Sequence, residues 1–166
     1  IRKDIEWCGR HRTPFIMCAD ANFGILPRDY DIANIAIHTK EKYGYPQMFR
    51  CCYSKNNEKI VFRAAQALHA HKMTKAVTMA RQSNNPIALG NVGRTNTKID
   101  FFNGLQNTFH EHGIPTSSDM IMGLPGETYD SFVDGLEQIL TASYDNQILI
   151  YPLQVYPNTL ICKPDY

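Results

Sequence analysis

The 166-residue sequence predicts an α/β fold on parallel strands, either barrel-like or doubly wound. Short apolar runs alternate along it with stretches whose apolar residues recur at helical spacing. The runs begin near residues 15, 48, 75, 116 and 147, at intervals of about thirty with one longer. A helix between successive strands implies parallel neighbours joined by right-handed crossovers. Each run also ends in a polar segment of unusual composition, and in both architectures ligands gather where the strands end.

The first strand is the continuous apolar run Pro14 to Ala19, patterned for burial on both faces. After the loop Asp20-Ala21-Asn22-Phe23-Gly24, Ile32, Ile35, Ala36 and Thr39 predict a helix over 31–42, stopped by Gly44 and Pro46. A second strand is expected over 48–53. Asn56 or Asn57 would cap a helix whose stripe is Ile60, Val61, Ala64 and Leu68. A third strand spans about 75–80, followed by a short helical piece ending near Val92. A longer helix, 99–112, carries Phe101, Phe102, Leu105 and Phe109 as core, with Thr97 and Asp100 spaced as in a capping box. The fourth strand covers 116–122, and the next helix bears Phe132, Leu136, Ile139 and Leu140. The fifth runs over 147–155, where Pro152 marks an edge or a local break in pairing. No linker or sequence repeat interrupts the pattern, so residues 1–166 read as a single domain.

Seventeen basic residues against sixteen acidic ones leave a net charge of +1, which gives no electrostatic reason to expect nucleic acid or an anionic membrane. No apolar run reaches the roughly eighteen residues that span a bilayer. The opening Ile1 to Glu6 has no apolar core of a signal peptide and no initiator Met, as expected of an interior segment of a longer protein. Cys8, Cys18, Cys51, Cys52 and Cys162 form an odd, irregularly spaced set, read as buried, inert thiols in a reducing, cytoplasmic compartment. Cys51 and Cys52, adjacent on a strand, alternate faces and do not form one site. His69 with His71, and His110 with His112, stand two apart near helix ends, so their rings diverge and they read as solvated.

The strand-end segments each have a plain reading too. Asp20 and Asn22 are natural turn formers, Gln82-Ser83 is a polar strand end, Arg94 suits a surface, and Gly123 to Thr128 suits a turn with Thr128 capping a helix. Four blocks in this order carry more: Asp20 to Gly24 with Pro27-Arg28-Asp29; Gln82-Ser83-Asn84 with Arg94-Thr95-Asn96; Asp119 to Thr128; and Tyr151 through Pro157-Asn158-Thr159. Together they resemble the core of the radical S-adenosylmethionine (SAM) enzymes, above all those with an amino-terminal cobalamin-binding half, over about residues 14–159.

The resemblance implies a partial parallel (β/α)6 barrel of TIM-barrel type, truncated at its first β/α unit. It implies a [4Fe-4S] cluster held by a C-x3-C-x2-C triplet, which this sequence lacks and which is expected upstream of Ile1. With that cluster the full-length protein would cleave SAM to a 5′-deoxyadenosyl radical, using cobalamin to methylate an unactivated carbon of a small-molecule substrate. This segment alone would be inactive. By position, Ala21, Asn22 and Phe23 match the loop whose backbone receives the SAM amino group. Gln82 and Ser83 match positions near the ribose, and Arg94, twelve residues after Gln82, matches an arginine that pairs with the carboxylate. Ile121, Gly123 and Tyr151 match the adenine-lining strands, and Lys55 adds positive charge near the carboxylate. The upstream partner would be the cobalamin-binding domain.

Two other readings of the same core are a radical SAM reaction without cobalamin and a non-catalytic nucleotide-binding remnant. An isomerase or aldolase barrel ranks below both, because Lys55 is the only strand-end lysine placed to form a Schiff base.

Overall fold

A computed structural model describes residues 1–54, 58–96, 99–142 and 147–162. They fall into two compact units, Ile1–Thr78 with Thr108–Pro115, and Met79–Asn107 with Thr116–Tyr166.

The first unit contains α1 (Arg2–Arg10), β1 (Phe15–Met17), α2 (Pro27–Tyr43), β2 (Met48–Arg50), α3 (Glu58–Ala70) and β3 (Val77–Thr78). β1 and β2 are parallel, with Phe15 opposite Met48 and Met17 opposite Arg50, as a helical crossover requires. Both strands are shorter than their apolar runs. The pairing nevertheless continues beyond them, since the Cys18 N–H donates to Arg50 O at 2.9 Å and Phe23 bridges Tyr53 in parallel. On the other side of β2, the Phe49 N–H donates to Met73 O at 2.9 Å.

The core of this unit joins Phe23, Phe49, Ile37, Ala64, Leu68 and Met73, all nearly or fully buried. Phe23 meets Phe49 and Tyr53 edge-on, at centroid distances of 6.1 and 6.2 Å, the arrangement ring quadrupoles favour.

α2 begins at Pro27, four residues before the expected start at Asp31. Proline at the first helical position is pre-set for the helix and wastes no N–H. At the other end Gly44 closes the helix at φ 76°, its N–H on Lys40 O. α1 was not expected. Its residues are mostly charged, and only Ile5 and Gly9 are buried. Gly9 explains its seat, because a Cβ there would stand 2.4 Å from Thr39 Cγ2.

The second unit contains α4 (Pro86–Asn91), α5 (Ile99–Glu111) as far as Asn107, β4 (Thr116–Met122), α6 (Tyr129–Ala142) and β5 (Gln147–Pro152). β4 and β5 are parallel from Ser117 opposite Gln147 to Met122 opposite Pro152. Pro152 does not break the pairing, because the Leu153 N–H donates to Met122 O at 2.9 Å. Along the other side of β4, Met79 N–H donates to Ser117 O and Arg81 N–H to Asp119 O, while Gln82 O receives Ile121 N–H at 2.7 Å. Phe102 and Phe109 of α5 are buried as expected, whereas the side chain of Phe101 lies outside the described residues. No helix among the described residues is long and apolar enough to cross a membrane.

The C-terminal end of α3 is closed by a cation from another helix. Lys40 Nζ on α2 donates to His71 O at 2.7 Å and Lys72 O at 3.2 Å, satisfying carbonyls beyond the last turn and complementing the helix dipole. Lys40→Met should destabilise the protein by about 1–2 kcal/mol. The thermal midpoint should fall by about 2–4 °C for each of those kcal/mol, read by circular dichroism.

Candidate functional site

The loop after β1 is built from a carboxylate outward. Asp29, at the third position of α2 and only 2 % exposed, accepts the Gly24 N–H at 2.9 Å and the Leu26 N–H at 3.0 Å through Oδ2. Leu26 has no side-chain acceptor to return, so Asp29 supplies the N-terminal cap alone. Gly24, at φ 95°, lies so close to α3 that a Cβ would stand 2.6 Å from Val61 Cγ2 and 3.2 Å from its Cα. Asn22 N–H donates to Asp20 Oδ1 at 2.8 Å, the Asx turn expected of those residue types.

The three candidate residues of this loop divide sharply. Ala21 and Asn22 are exposed. Phe23 is 0 % exposed, its ring is core, and its N–H and carbonyl are both engaged, with Cys52 O and Ser54 N–H. The Asn22 carbonyl accepts from Ile25 N–H, whereas among the described residues nothing donates to the Ala21 carbonyl.

In the second unit, three strand-end segments run side by side: residues 81–82, the end of β4 with Gly123, and the end of β5. Gln82 holds φ 64°, a left-handed conformation uncommon for a residue with a side chain. Its carbonyl receives Ile121 N–H, and Ile121 stands opposite Tyr151, which is 47 % exposed. Gly123 turns the chain at φ 89°. Gln82, Ile121, Gly123 and Tyr151 therefore belong to one contiguous stretch of strand ends. Arg94 follows α4 and is exposed, and its guanidinium makes no hydrogen bond or ion pair among the described residues.

Ser83 differs from its neighbours. It is 1 % exposed; its hydroxyl donates to Glu127 Oε2 and accepts the Asn85 N–H at 2.9 Å. The other Glu127 oxygen accepts from Ser131 Oγ, so one carboxylate ties the segment after Gln82 to the first turn of α6. That turn carries a reciprocal cap, with Thr128 N–H on Ser131 Oγ at 3.0 Å and Ser131 N–H on Thr128 Oγ1 at 3.1 Å. Asn96 Nδ2 donates to Arg81 O at 2.8 Å and Ser83 O at 2.6 Å, clamping the same segment from its other side. Asn91 Nδ2 reaches Pro125 O at 3.0 Å and Asn85 Nδ2 reaches Gly126 O at 3.2 Å, which fixes the Gly123–Thr128 loop on α4. Arg81 is 5 % exposed, bonded to Asn84 Oδ1 and stacked 4.8 Å from the Phe102 ring; burial lowers its pKa.

Sequence reasoning missed Asp29, Glu127 and Asn96 as the residues that set these loops. The signals were present: a carboxylate at the third position of a helix for Asp29, and a carboxylate one residue before a Thr-x-x-Ser cap for Glu127. Lys55, Asn56, Asn57 and Thr97 lie outside the described residues. The cysteines are not uniformly buried. Cys51 is, Cys8 and Cys18 are intermediate, and Cys52 and Cys162 are exposed, all of them free thiols. Strand alternation explains the contrast between Cys51 and Cys52. His71, His110 and His112 are exposed, whereas His69 is half-buried and its Nδ1 finds no partner among the described residues. No group of three metal-ligating side chains occurs among the described residues.

Two curated proteins match almost the whole chain. The radical SAM methyltransferase TokK of Streptomyces tokunonensis, described as cobalamin-dependent, is 32% identical over 165 residues, 99% of this chain. A 2-(S-pantetheinyl)-carbapenam-3-carboxylate methyltransferase of Streptantibioticus cattleyicolor is 31% identical over the same length. Both relatives are methyltransferases, and the first is a cobalamin-dependent radical SAM enzyme. The chain spans 24% of the length of each of these methyltransferases.

Among solved structures, the radical SAM methyltransferase TsrM of Kitasatospora setae, with cobalamin and a [4Fe-4S] cluster bound, superposes with a TM-score of 0.68 at 16% identity, covering 95% of this chain and 31% of that one. Coproporphyrinogen III oxidase of Escherichia coli, also a radical SAM enzyme, superposes at 0.51 and 16% identity, covering 86% and 44%. At these identities the two structures speak for the fold, mixed α/β with parallel strands. No family model matches the sequence.

Removing the carboxylate that ties the radical SAM-like segments together has a defined cost. Glu127→Ala should destabilise by about 2–3 kcal/mol, since hydrogen bonds to a charged group are worth about 1.5–3 kcal/mol and Ser83 is left buried without its acceptor. Urea denaturation should show the midpoint falling with an unchanged slope.

Proposed function

We propose that this chain is the SAM-binding part of a cobalamin-dependent radical SAM methyltransferase, folded as one domain in the pattern of a partial parallel (β/α)6 barrel. The observation that carries the reading is identity of about one residue in three, over 99% of the chain, to two methyltransferases, one of them described as a cobalamin-dependent radical SAM enzyme. The residues fit the ligand. SAM offers an amino group, a carboxylate, a ribose and an adenine. The described residues offer an exposed backbone acceptor at Ala21, an exposed and unengaged guanidinium at Arg94, and an exposed aromatic at Tyr151 beside Ile121.

On this reading the Ala21–Asn22 backbone receives the amino group, and Arg94 takes the carboxylate, for which a planar guanidinium is suited bidentately. Gln82 approaches the ribose, and Ile121, Gly123 and Tyr151 line adenine, Gly123 letting the base lie close to the backbone. Phe23 and Ser83 belong to the same loops but support them from within, one as core and the other through Glu127. A bound [4Fe-4S] cluster would supply the electron for SAM cleavage and cobalamin would carry the methyl group, while the protein binds, orients and shields. The cluster ligands and the cobalamin-binding domain lie elsewhere in the full-length protein. The acceptor is a small molecule methylated at an unactivated carbon.

The test is made on the full-length protein reconstituted anaerobically with iron, sulfide and cobalamin, and given reductant and SAM labelled in its methyl group. Formation of 5′-deoxyadenosine is expected, with label passing to cobalamin. Product without any need for cobalamin would favour another radical SAM reaction, and no cleavage at all would reject the reading. Arg94→Ala should weaken SAM binding by about 10- to 100-fold, the worth of about 1.5–3 kcal/mol for a charged hydrogen bond, while far-ultraviolet circular dichroism stays unchanged.

A further inference from the structure

Two of the free thiols lie against one another at the top of the first unit. The parallel register that sets Met17 opposite Arg50 continues one step, because the Cys18 N–H donates to Arg50 O at 2.9 Å, and this brings Cys18 opposite Cys51. Residues opposite each other share a face. That face is the one carrying Ile16 and Phe49, and Cys51 is part of the buried core with Cys18 packed on it. Placed together on one face, the two thiols shift each other's acidity in opposite directions, Cys18 down and Cys51 up.

Cys51 is 7% exposed while Cys18 remains half-open to solvent, and Cys52 is exposed, turned to the other face by strand alternation. Neighbouring strands stand about 4.8 Å apart, within the roughly 4.4–6.8 Å between Cα atoms that a disulfide spans.

We propose that Cys18 and Cys51 are a redox-active thiol pair, closed to a disulfide by hydroperoxides. The two sulfurs hold different roles. Hydrogen bonding with the neighbouring Cys51 thiol would bring the Cys18 thiol down to about 7, against burial, which raises it. The same bond, together with burial, pushes Cys51 up. Cys18 is thus the thiolate and attacking sulfur, and Cys51 the protonated, resolving one.

The Cys18 thiolate attacks one oxygen of the hydroperoxide. An S–O bond forms, the O–O bond breaks, and the departing hydroxide takes up the proton that Cys18 had lost, leaving as water (an alcohol if the peroxide is organic). Cys51 sulfur then attacks the sulfenic sulfur of Cys18. The S–S bond forms, the S–O bond breaks, and hydroxide leaves with the Cys51 proton as a second water. Two electrons pass from the thiols to the peroxide, and a low-molecular-weight thiol reverses the change by exchange. The bridge would staple β1 to β2 immediately before the Asp20–Gly24 loop, so the redox state of the pair bears on the loop's freedom. The pair stands independently of the proposed function.

The experiment treats the full-length protein, in a Cys52→Ala background so that Cys51 is the sole thiol of its tryptic peptide, with hydrogen peroxide. Peptides are then mapped by mass spectrometry without reduction. The expected product is one linked species joining the Cys18 and Cys51 peptides, two hydrogens lighter than their sum and separated by dithiothreitol. Cys51→Ser should instead leave Cys18 as a sulfenic acid that dimedone traps, on the order of tenfold more than without the change. Oxidation of Cys18 directly to sulfinic acid with Cys51 untouched, or Cys18 no more reactive than Cys162, would overturn the proposal.

Discussion

A carboxylate placed beneath a strand-end loop is the interaction on which each unit depends. These loops must leave the sheet, run polar backbone over an apolar layer, and hold one shape. Buried N–H groups that lose water need acceptors, and a loop has no ladder to supply them. In the first unit Asp29 supplies them for Gly24 and Leu26 from a site 2% exposed. In the second, Glu127 takes hydroxyl hydrogens from Ser83 and Ser131, so two segments far apart in sequence share one anchor. In both cases the carboxylate sits at or next to a helix start, where the free N–H groups and the dipole favour negative charge.

That constraint sorts the residues of each loop into two kinds. Phe23 and Ser83 turn inward and are consumed by the fold. Ala21 in the loop after β1, Arg94 after α4 and Tyr151 at the end of β5 are left at the surface with groups unspent. Rigid support from below and open chemistry above is what a binding loop requires, since a site held loosely loses the orientation that binding is meant to provide. Gln82, held at φ 64° between Asp119 and Ile121, fits the same account, because a strained backbone persists only where its surroundings over-determine it.

Much of the fold was legible because apolar period and turn chemistry report directly on local structure. β4 matches its expected bounds of 116–122, and α5 and the Thr128 cap follow from residue type and spacing alone. α1 was not legible. Its sequence is mostly charged, and its place is set by a tertiary close approach at Gly9 that no local pattern encodes. The early start of α2 is hidden because the apolar spacing begins only at Ile32, whereas Pro27 opens the helix and Asp29 caps it. The site was legible as segments but not as roles. Position in a motif says which loop a residue belongs to, whereas burial decides whether Ser83 meets a ligand or Glu127. The cysteines show the same limit, since Cys18 and Cys51 become a pair only through strand register.

On the proposed function, the exposed loop residues meet SAM while the buried carboxylates stay in place. Amide hydrogen exchange of the full-length protein, with and without SAM, tests it most directly. SAM should slow exchange over residues 20–25, 82–84, 121–124 and 150–153, leaving the body of α3 and α6 unchanged. Exchange unaltered in all four segments, or slowed only elsewhere, would contradict it.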